Sequence, residues 1–339
     1  MINQIEPNFG KAEAEALKKY ILSGGWGTEH IYSELFESKV ADFVGIKHCS
    51  VVNNGTMGLI IALLAVGVKS GDEVIVPALT MIATANAVRF IGASPIFIDI
   101  EPDNLCLDID KTLKALCPKT KAVIYVSLNG RCGEIERLKG EIPIIEDACQ
   151  SLGSKHDGKA LGTIGDIGVY SLSPHKIIST GQGGLVVTDD DQLYENVERL
   201  KDFGRLGGGA DVHTHFGINS KFTDFQAVIG LEQIKSLPKR IVRKKQIYNL
   251  YKTLLSEHYL FDNSEEVTPW MVDIYGCNKR KFNGFKTRPM YPLVPEQPCY
   301  NFDGNFPWAT RFSLAGMWLP SSVNLTDKQI QGICKEINE

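Results

Sequence analysis

From Cys49 onward the chain alternates short apolar, β-branched runs with segments of helical period, and no other feature restricts its fold as much. Val51-Val52 precedes a predicted helix over Thr56 to Val66, and Glu73 to Val76 precedes one over Thr80 to Phe90. Pro95 to Asp99 leads to a helix near Ile109 to Leu116, Ala122 to Val126 to one near Glu134 to Leu138, and Ile142 to Ile145 follows. Strands that are apolar almost throughout, spaced by helices, predict an α/β fold: a mainly parallel sheet with both faces covered. Ligands of such sheets gather beyond the carboxyl ends of the strands. The residues that matter should therefore stand just after each apolar run.

The flanking segments read differently. Residues 10–45 have helical spacing (Leu17, Tyr20, Ile21; Leu35, Val40, Phe43) around a Gly24-Gly25-Trp26-Gly27 break, which predicts an N-terminal arm with a turn in it. Beyond Gly184, helices are expected from Asp191 to Phe203 and from Asp224 to Leu237, with a Gly-rich loop (Gly204 to Gly209), His213 and His215 between them. Pro238 is expected to start a further polar helix reaching about Leu255. A terminal helix, Thr326 to Ile337, is capped by Thr326. Because 339 residues exceed what one core usually holds, two domains are expected: 1–240, arm and large domain, and 241–339, a smaller C-terminal α+β domain.

Composition narrows the function. The net charge of −4 is spread along the chain. Its densest basic run, Lys239 to Lys245, sits at helical spacing and reads as a solvated helix face, so nucleic acid is not an expected partner. The longest apolar run, Leu59 to Val68, is about half of the ~20 residues that cross a bilayer, and the first thirty residues lack a signal-peptide core. Eight cysteines show neither CxxC nor metal-ligand spacing. They read as reduced thiols of a cytoplasmic protein with no metal and no membrane contact.

Three groups at predicted strand ends carry chemistry. Asn53-Asn54-Gly55-Thr56 opens a helix, where amide N–H groups, a glycine and a hydroxyl suit either an ordinary N-cap or a phosphate cradle. Asp147, in Glu146-Asp147-Ala148-Cys149-Gln150, is either a cap or a functional acid. Asp166 to Gly184 joins two apolar runs through a Gly-rich connection that carries one amine, Lys176. A lysine desolvated between packed walls loses its proton more readily and can form a Schiff base with a carbonyl, although most lysines in such loops are solvated. A carboxylate facing a pyridine nitrogen keeps that ring protonated as an electron sink, which would give Asp147 a task beside Lys176.

In this order the three groups describe a pyridoxal-phosphate enzyme, and over nearly its whole length the chain resembles the DegT-type nucleotide-sugar aminotransferases of fold type I. The motifs are SGGWGTEH, NNGTMGL, GDEVIVPALTMIATANAV, GASPIFIDI, IIEDACQSLGS, GDIGVYSLSPHKIISTGQGG, HTHFGINSKFTDFQAVIGLEQ and TRPMYPLVPEQPCY. The resemblance implies that Lys176 bonds the cofactor and later moves the substrate proton, that Asp147 pairs with the pyridine nitrogen, and that Gln150 lies near the phenolic oxygen. It implies that Gly55, Thr56, the Met57 amide and Ser171 hold the phosphate together with Asn219 of a second subunit, which makes the enzyme a homodimer with shared active sites. It puts His213, Lys221, Arg288 and Tyr291 on the substrate side, with Arg131 and Arg205 as further cations for a carboxylate or diphosphate. Three positions depart from the pattern: Met81 stands where an aromatic ring usually stacks on the cofactor, Ser127-Leu128-Asn129-Gly130 replaces His-Leu-Tyr-Gly, and Val294 replaces the histidine of Pro-Leu-His. The activity implied is transfer of the amino group of L-glutamate to a keto sugar on a nucleotide, with GDP-4-keto-6-deoxymannose to GDP-perosamine as the leading case. Two alternatives are a dehydratase of the same fold, in which histidine replaces the lysine and to which the neighbouring His175 draws attention, and a non-catalytic relative, which should lack Lys176 or Asp147.

Overall fold

The structure is a computed structural model; it describes residues 1–205, 212–255, 260–276 and 282–339. Most of the predicted Gly-rich loop and Cys277 lie outside the described residues. The helices are α1 (Lys11–Leu22), α2 (Ile31–Val44), α3 (Gly55–Ala65), α4 (Ala83–Phe90), α5 (Ile109–Ala115), α6 (Asp191–Lys201), α7 (Asp224–Leu254), α8 (Pro307–Ala315) and α9 (Asp327–Asn338). The strands are β1 (His48–Val52), β2 (Glu73–Pro77), β3 (Ser94–Ile98), β4 (Thr120–Val126), β5 (Ile144–Asp147), β6 (Lys155–His156), β7 (Lys159–Ala160), β8 (Ile167–Ser171), β9 (Gly184–Thr188), β10 (Val272–Tyr275), β11 (Arg288–Pro289) and β12 (Gly316–Leu319).

Seven strands form one sheet in the order β1-β9-β8-β5-β4-β2-β3. β8, β5, β4, β2 and β3 pair in parallel, while β9 runs antiparallel to both β8 and β1. Successive side chains of a strand point to opposite faces, and here both faces are apolar. Ala122, Ile124 and Val126 of β4 join the core under α3 and α4, whereas Val123 and Tyr125 join a core with Ile109 of α5. Val52 of β1 likewise faces α3 while Cys49 and Val51 face Phe36 and Val40 of α2 and Leu237 of α7. Two-sided burial is the physical reason for the continuous apolar runs, and it gives the expected mainly parallel, three-layer α/β fold.

Two expectations need correction. Residues near 134–138 form only a 3₁₀ turn, Ile135–Leu138. Pro238 begins no helix: α7 runs unbroken for 31 residues with the proline inside it. Proline removes one backbone hydrogen bond in a helix interior, and the contacts of α7 outweigh that loss. Gln226, Gln233 and Arg240, seven residues apart and so on one stripe, all bond the connection between β8 and β9, while Asp224 at the first turn accepts from the amides of His30 and Ser33 in the arm. Further along, Ile247 and Tyr251 of α7 pack with Ile330, Ile333 and Ile337 of α9 and with the small sheet β10-β12-β11. Thr326 caps α9 as predicted, its hydroxyl accepting from Gln329 N at 3.3 Å.

The basic run also differs from a solvated face. Arg240 and Lys244 are buried: Arg240 donates to Ile177 O and Gln233 Oε1, and Lys244 Nζ donates to Trp270 O at 2.5 Å and Ser321 O at 2.6 Å.

Candidate active site

The carboxyl ends of β1, β5 and β8 meet at one place. β5 ends at Asp147, which is buried; Thr84 Oγ1 donates to its Oδ2 at 2.8 Å and Cys149 N to its Oδ1 at 3.2 Å. β8 ends at Ser171, and β1 runs into α3. Asn54 caps α3, its Oδ1 accepting from Met57 N at 2.9 Å, so the cap reading holds and the Met57 amide is engaged in it. The Gly55 and Thr56 amides stand in the first turn, where a helix supplies no carbonyl partners and favours negative charge. Close packing brings this turn to the other strand ends. A side chain at Gly55 would meet Cys149 Sγ at 3.0 Å and Ser171 Cβ at 3.1 Å, and one at Gly184 would meet the backbone of Asn54 and Gly55 at 2.6–2.8 Å.

Lys176 lies on the connection from β8 to β9, and this connection is tied down along its length. Arg240 Nη1 donates to Ile177 O (2.9 Å), Ser179 N to Gln233 Oε1 (3.2 Å), Gln226 Nε2 to Gln182 O (2.6 Å) and Trp270 Nε1 to His175 O (2.8 Å). The amine lines a pocket with Cys149, Gln150, Ser171 and Trp270, and its Nζ stands 4.2 Å from the centre of the Trp270 ring. Burial lowers the lysine's pKa; Cys149 and Asp147 oppose that shift and Arg288 adds to it. His175, one residue earlier, keeps part of its surface open to solvent, and the partial desolvation of its imidazole, then the charges of Lys176 and Arg288, push its pKa down to about 4.

Around this centre, Gln150 Oε1 accepts from Asn129 N (3.0 Å) and its Nε2 donates to Tyr291 OH (3.3 Å). The Arg288 guanidinium lies 5.4 Å from the Tyr291 and Trp318 ring centres and forms no ion pair among the described residues. Met81 is half exposed. Asn129 has φ 58° and is held by Met271 and Asp273, and Val294 is buried, its amide donating to Ala78 O.

Other expected residues lie elsewhere. Arg131 is buried in a two-pronged pair with Asp273 (2.5 and 2.8 Å) beneath the Phe261 ring, so it is not a cation open to substrate. His213, Asn219 and Lys221 form a group of their own: His213 bonds Phe203 O, Lys221 Nζ pairs with Asp202 at 2.6 Å beside Arg205, and Asn219 bridges to Asp202, while Ser220 between them bonds Asn53 after β1. Thr84 and Trp270 belong to the site and were not anticipated. The threonine stands on the helix after a strand end that was already marked, whereas Trp270 lies in a stretch without periodicity where only its neighbour Pro269 hints at a fixed turn.

The arrangement fits pyridoxal phosphate. Lys176 offers a desolvated amine for its aldehyde, Asp147 a buried carboxylate for its pyridine nitrogen, and the first turn of α3 with Ser171 a set of donors for its phosphate. Comparison with known proteins agrees. The pattern of the DegT/DnrJ/EryC1/StrS aminotransferase family matches residues 7–338. The chain is 33% identical to GDP-perosamine synthase of Escherichia coli O157:H7, covering 98% of this chain and 97% of that one, and 30% identical to GDP-perosamine synthase of Vibrio cholerae with the same coverage. Among solved structures, the aminotransferase TlmJ from Streptoalloteichus hindustanus superposes with a TM-score of 0.91 at 27% identity, covering 99% of this chain and 98% of that one.

Proposed function

The chain belongs to the DegT/DnrJ/EryC1/StrS aminotransferase family, and from that premise we propose that it transfers the amino group of L-glutamate to the keto group of a nucleotide-linked 4-keto-6-deoxy sugar. GDP-4-keto-6-deoxymannose, giving GDP-perosamine, is the substrate we favour, on the full-length similarity to two GDP-perosamine synthases. The observation that carries the reading is the Lys176 amine, which lines a pocket with Cys149 and Gln150 just beyond the end of β5 and whose pKa is lowered by burial, with Asp147 near enough to oppose that shift. With pyridoxal phosphate bound, the cofactor supplies the electron sink for breaking the substrate C–H bond. Lys176 then takes and returns the proton at the substrate carbon, Asp147 keeps the ring nitrogen protonated, and Arg288, lacking an acidic partner, takes a substrate carboxylate or phosphate. Gln150 and Tyr291 orient the rim, and Met81 would offer the ring a soft, polarizable contact. Lys176 in the pocket with His175 outside it supports a transaminase over a dehydratase.

We further take the working unit to be a homodimer in which Asn219 of the partner subunit completes the phosphate site and His213 and Lys221 serve the neighbouring substrate. Exposed apolar surface supports this. Leu22 (76% exposed), Trp26 (79%), Ile31 and Phe225 are exposed apolar side chains of the arm and the start of α7, the kind of surface that marks an interface where it is contiguous. A cytoplasmic setting agrees with the free cysteines, and no helix among the described residues is long and apolar enough to cross a membrane. The proposed division into 1–240 and 241–339 would place the domain joint within α7.

The test is a panel of GDP-, UDP- and dTDP-linked 4-keto-6-deoxy sugars with L-glutamate, followed by 2-oxoglutarate release. Release with GDP-4-keto-6-deoxymannose well above the others is expected. Release with no member of the panel, from protein that binds pyridoxal phosphate, would overturn the substrate class.

A further inference from the structure

Lys176 has no carboxylate within ion-pair distance among the described residues; what lies under its ammonium is the face of Trp270, 4.2 Å from the ring centre. The indole is buried, 4% exposed, and held from several sides. Its Nε1 donates to His175 O, one residue before the lysine, at 2.8 Å. Its own carbonyl accepts from Lys244 Nζ at 2.5 Å, and the next residue, Met271, is clamped at both backbone groups by the Asn129 side chain at 2.6 and 2.7 Å. An edge contact with Trp318, 5.4 Å between centres, fixes the ring plane.

We propose that Trp270 is a positioning residue for the reactive amine: its ring face is the seat on which the Lys176 ammonium rests, and its N–H sets the backbone from which that amine reaches the pocket. A cation on an aromatic face is attracted by the ring quadrupole, more strongly once desolvated, so the seat offsets part of the rotamer freedom that a fixed lysine side chain loses. The other charged or titratable groups facing the amine are Asp147 and Cys149 after β5, Arg288 of β11 and the neighbouring His175. The indole favours the charged amine against its burial.

The inference rests on Lys176 being the reactive amine, and its test reads that amine without the reaction. In cofactor-free, full-length protein, trace acetic anhydride labels lysines in proportion to their neutral fraction, and the Lys176 peptide is quantified by mass spectrometry across pH. Trp270→Leu should lower the labelling midpoint by about 0.4–1.5 pH units. Trp270→Phe, which keeps a ring face, should recover most of the midpoint shift. A Trp270→Leu protein that melts like the wild type and shares its midpoint would overturn the proposal. If that variant does not fold, Lys176→Met decides: the pH-dependent step in tryptophan emission at the Lys176 midpoint should vanish, and a step that persists would sink the idea. Failure of the wild type to capture pyridoxal phosphate would count against the proposed function, while the labelling midpoints would still judge the seat.

Discussion

Lys201 and Lys176 both lose water on folding, the first fully and the second in part, with opposite results. Lys201 at the end of α6 is 2% exposed and surrounded by carboxylates, Glu29 at 2.8 Å, Glu198 at 3.0 Å and Glu37 at 3.5 Å. Burial alone would lower its pKa, but the three glutamates win and raise it. Lys176 meets no carboxylate at that range; Asp147 and Cys149 only oppose the burial, Arg288 reinforces it, and the pKa falls. The first lysine is locked in its charged form and ties the arm, which carries Glu29 and Glu37, to α6 and β1. The second can give up its proton, which is what a carbonyl-directed amine requires. Burial alone therefore does not mark a functional lysine: carboxylates at 2.8–3.5 Å make Lys201 a tie, two backbone carbonyls make the buried Lys244 another, and the Lys176 amine has neither among the described residues.

Breaking each lysine should separate the two roles. Lys176→Ala should abolish the absorbance band of bound pyridoxal phosphate and lower amine transfer from glutamate by at least about a thousandfold, because the same group bonds the cofactor and moves the proton. Its melting temperature without cofactor should stay near the wild type, since a desolvated amine with no acid partner contributes little to stability. Lys201→Met should show the reverse. Three glutamates left without their cation should cost about 3–5 kcal/mol, visible in denaturant unfolding, with less effect on turnover of the protein that remains folded. Equal loss of activity and stability in both variants would end the distinction.

The same contrast explains what the sequence disclosed. Strand ends are local features: a β-branched run that stops at Asp147 or Ser171 announces itself, and the alternation between two covered faces gave the sheet and its direction in advance. The continuity of α7 was hidden, because Pro238 is a breaker by local rules and the contacts that override it, from Gln226, Gln233 and Arg240 to the Lys176 connection, come from residues some 44 to 63 positions earlier in the chain. Arg240 and Lys244 looked solvated for the same reason; their partners are backbone carbonyls of distant segments, which carry no side-chain signature. Trp270 was invisible because its stretch has no period to read.

The smallest effect tests the Lys201 region most finely. One ammonium shared by three carboxylates leaves negative charge in excess, and the most distant acid, Glu37, is the one that takes a proton: burial, partly countered by Lys201 and reinforced by Glu198, pushes its pKa up to about 7 from 4.5. Between pH 4.5 and about 7 the folded chain thus binds protons at Glu37 that the unfolded chain has already released, so this group makes stability fall as pH rises through that window. Glu37→Gln keeps the oxygen that accepts from Val51 N at 2.7 Å and cannot ionise. The variant should match the wild type near pH 4.5 and exceed it by about 3 kcal/mol at pH 8, read as the difference in unfolding free energy in urea across that range. A variant whose stability follows the wild type in parallel at every pH would show that Glu37 is ionised throughout, and that Lys201 holds all three acids as charged partners.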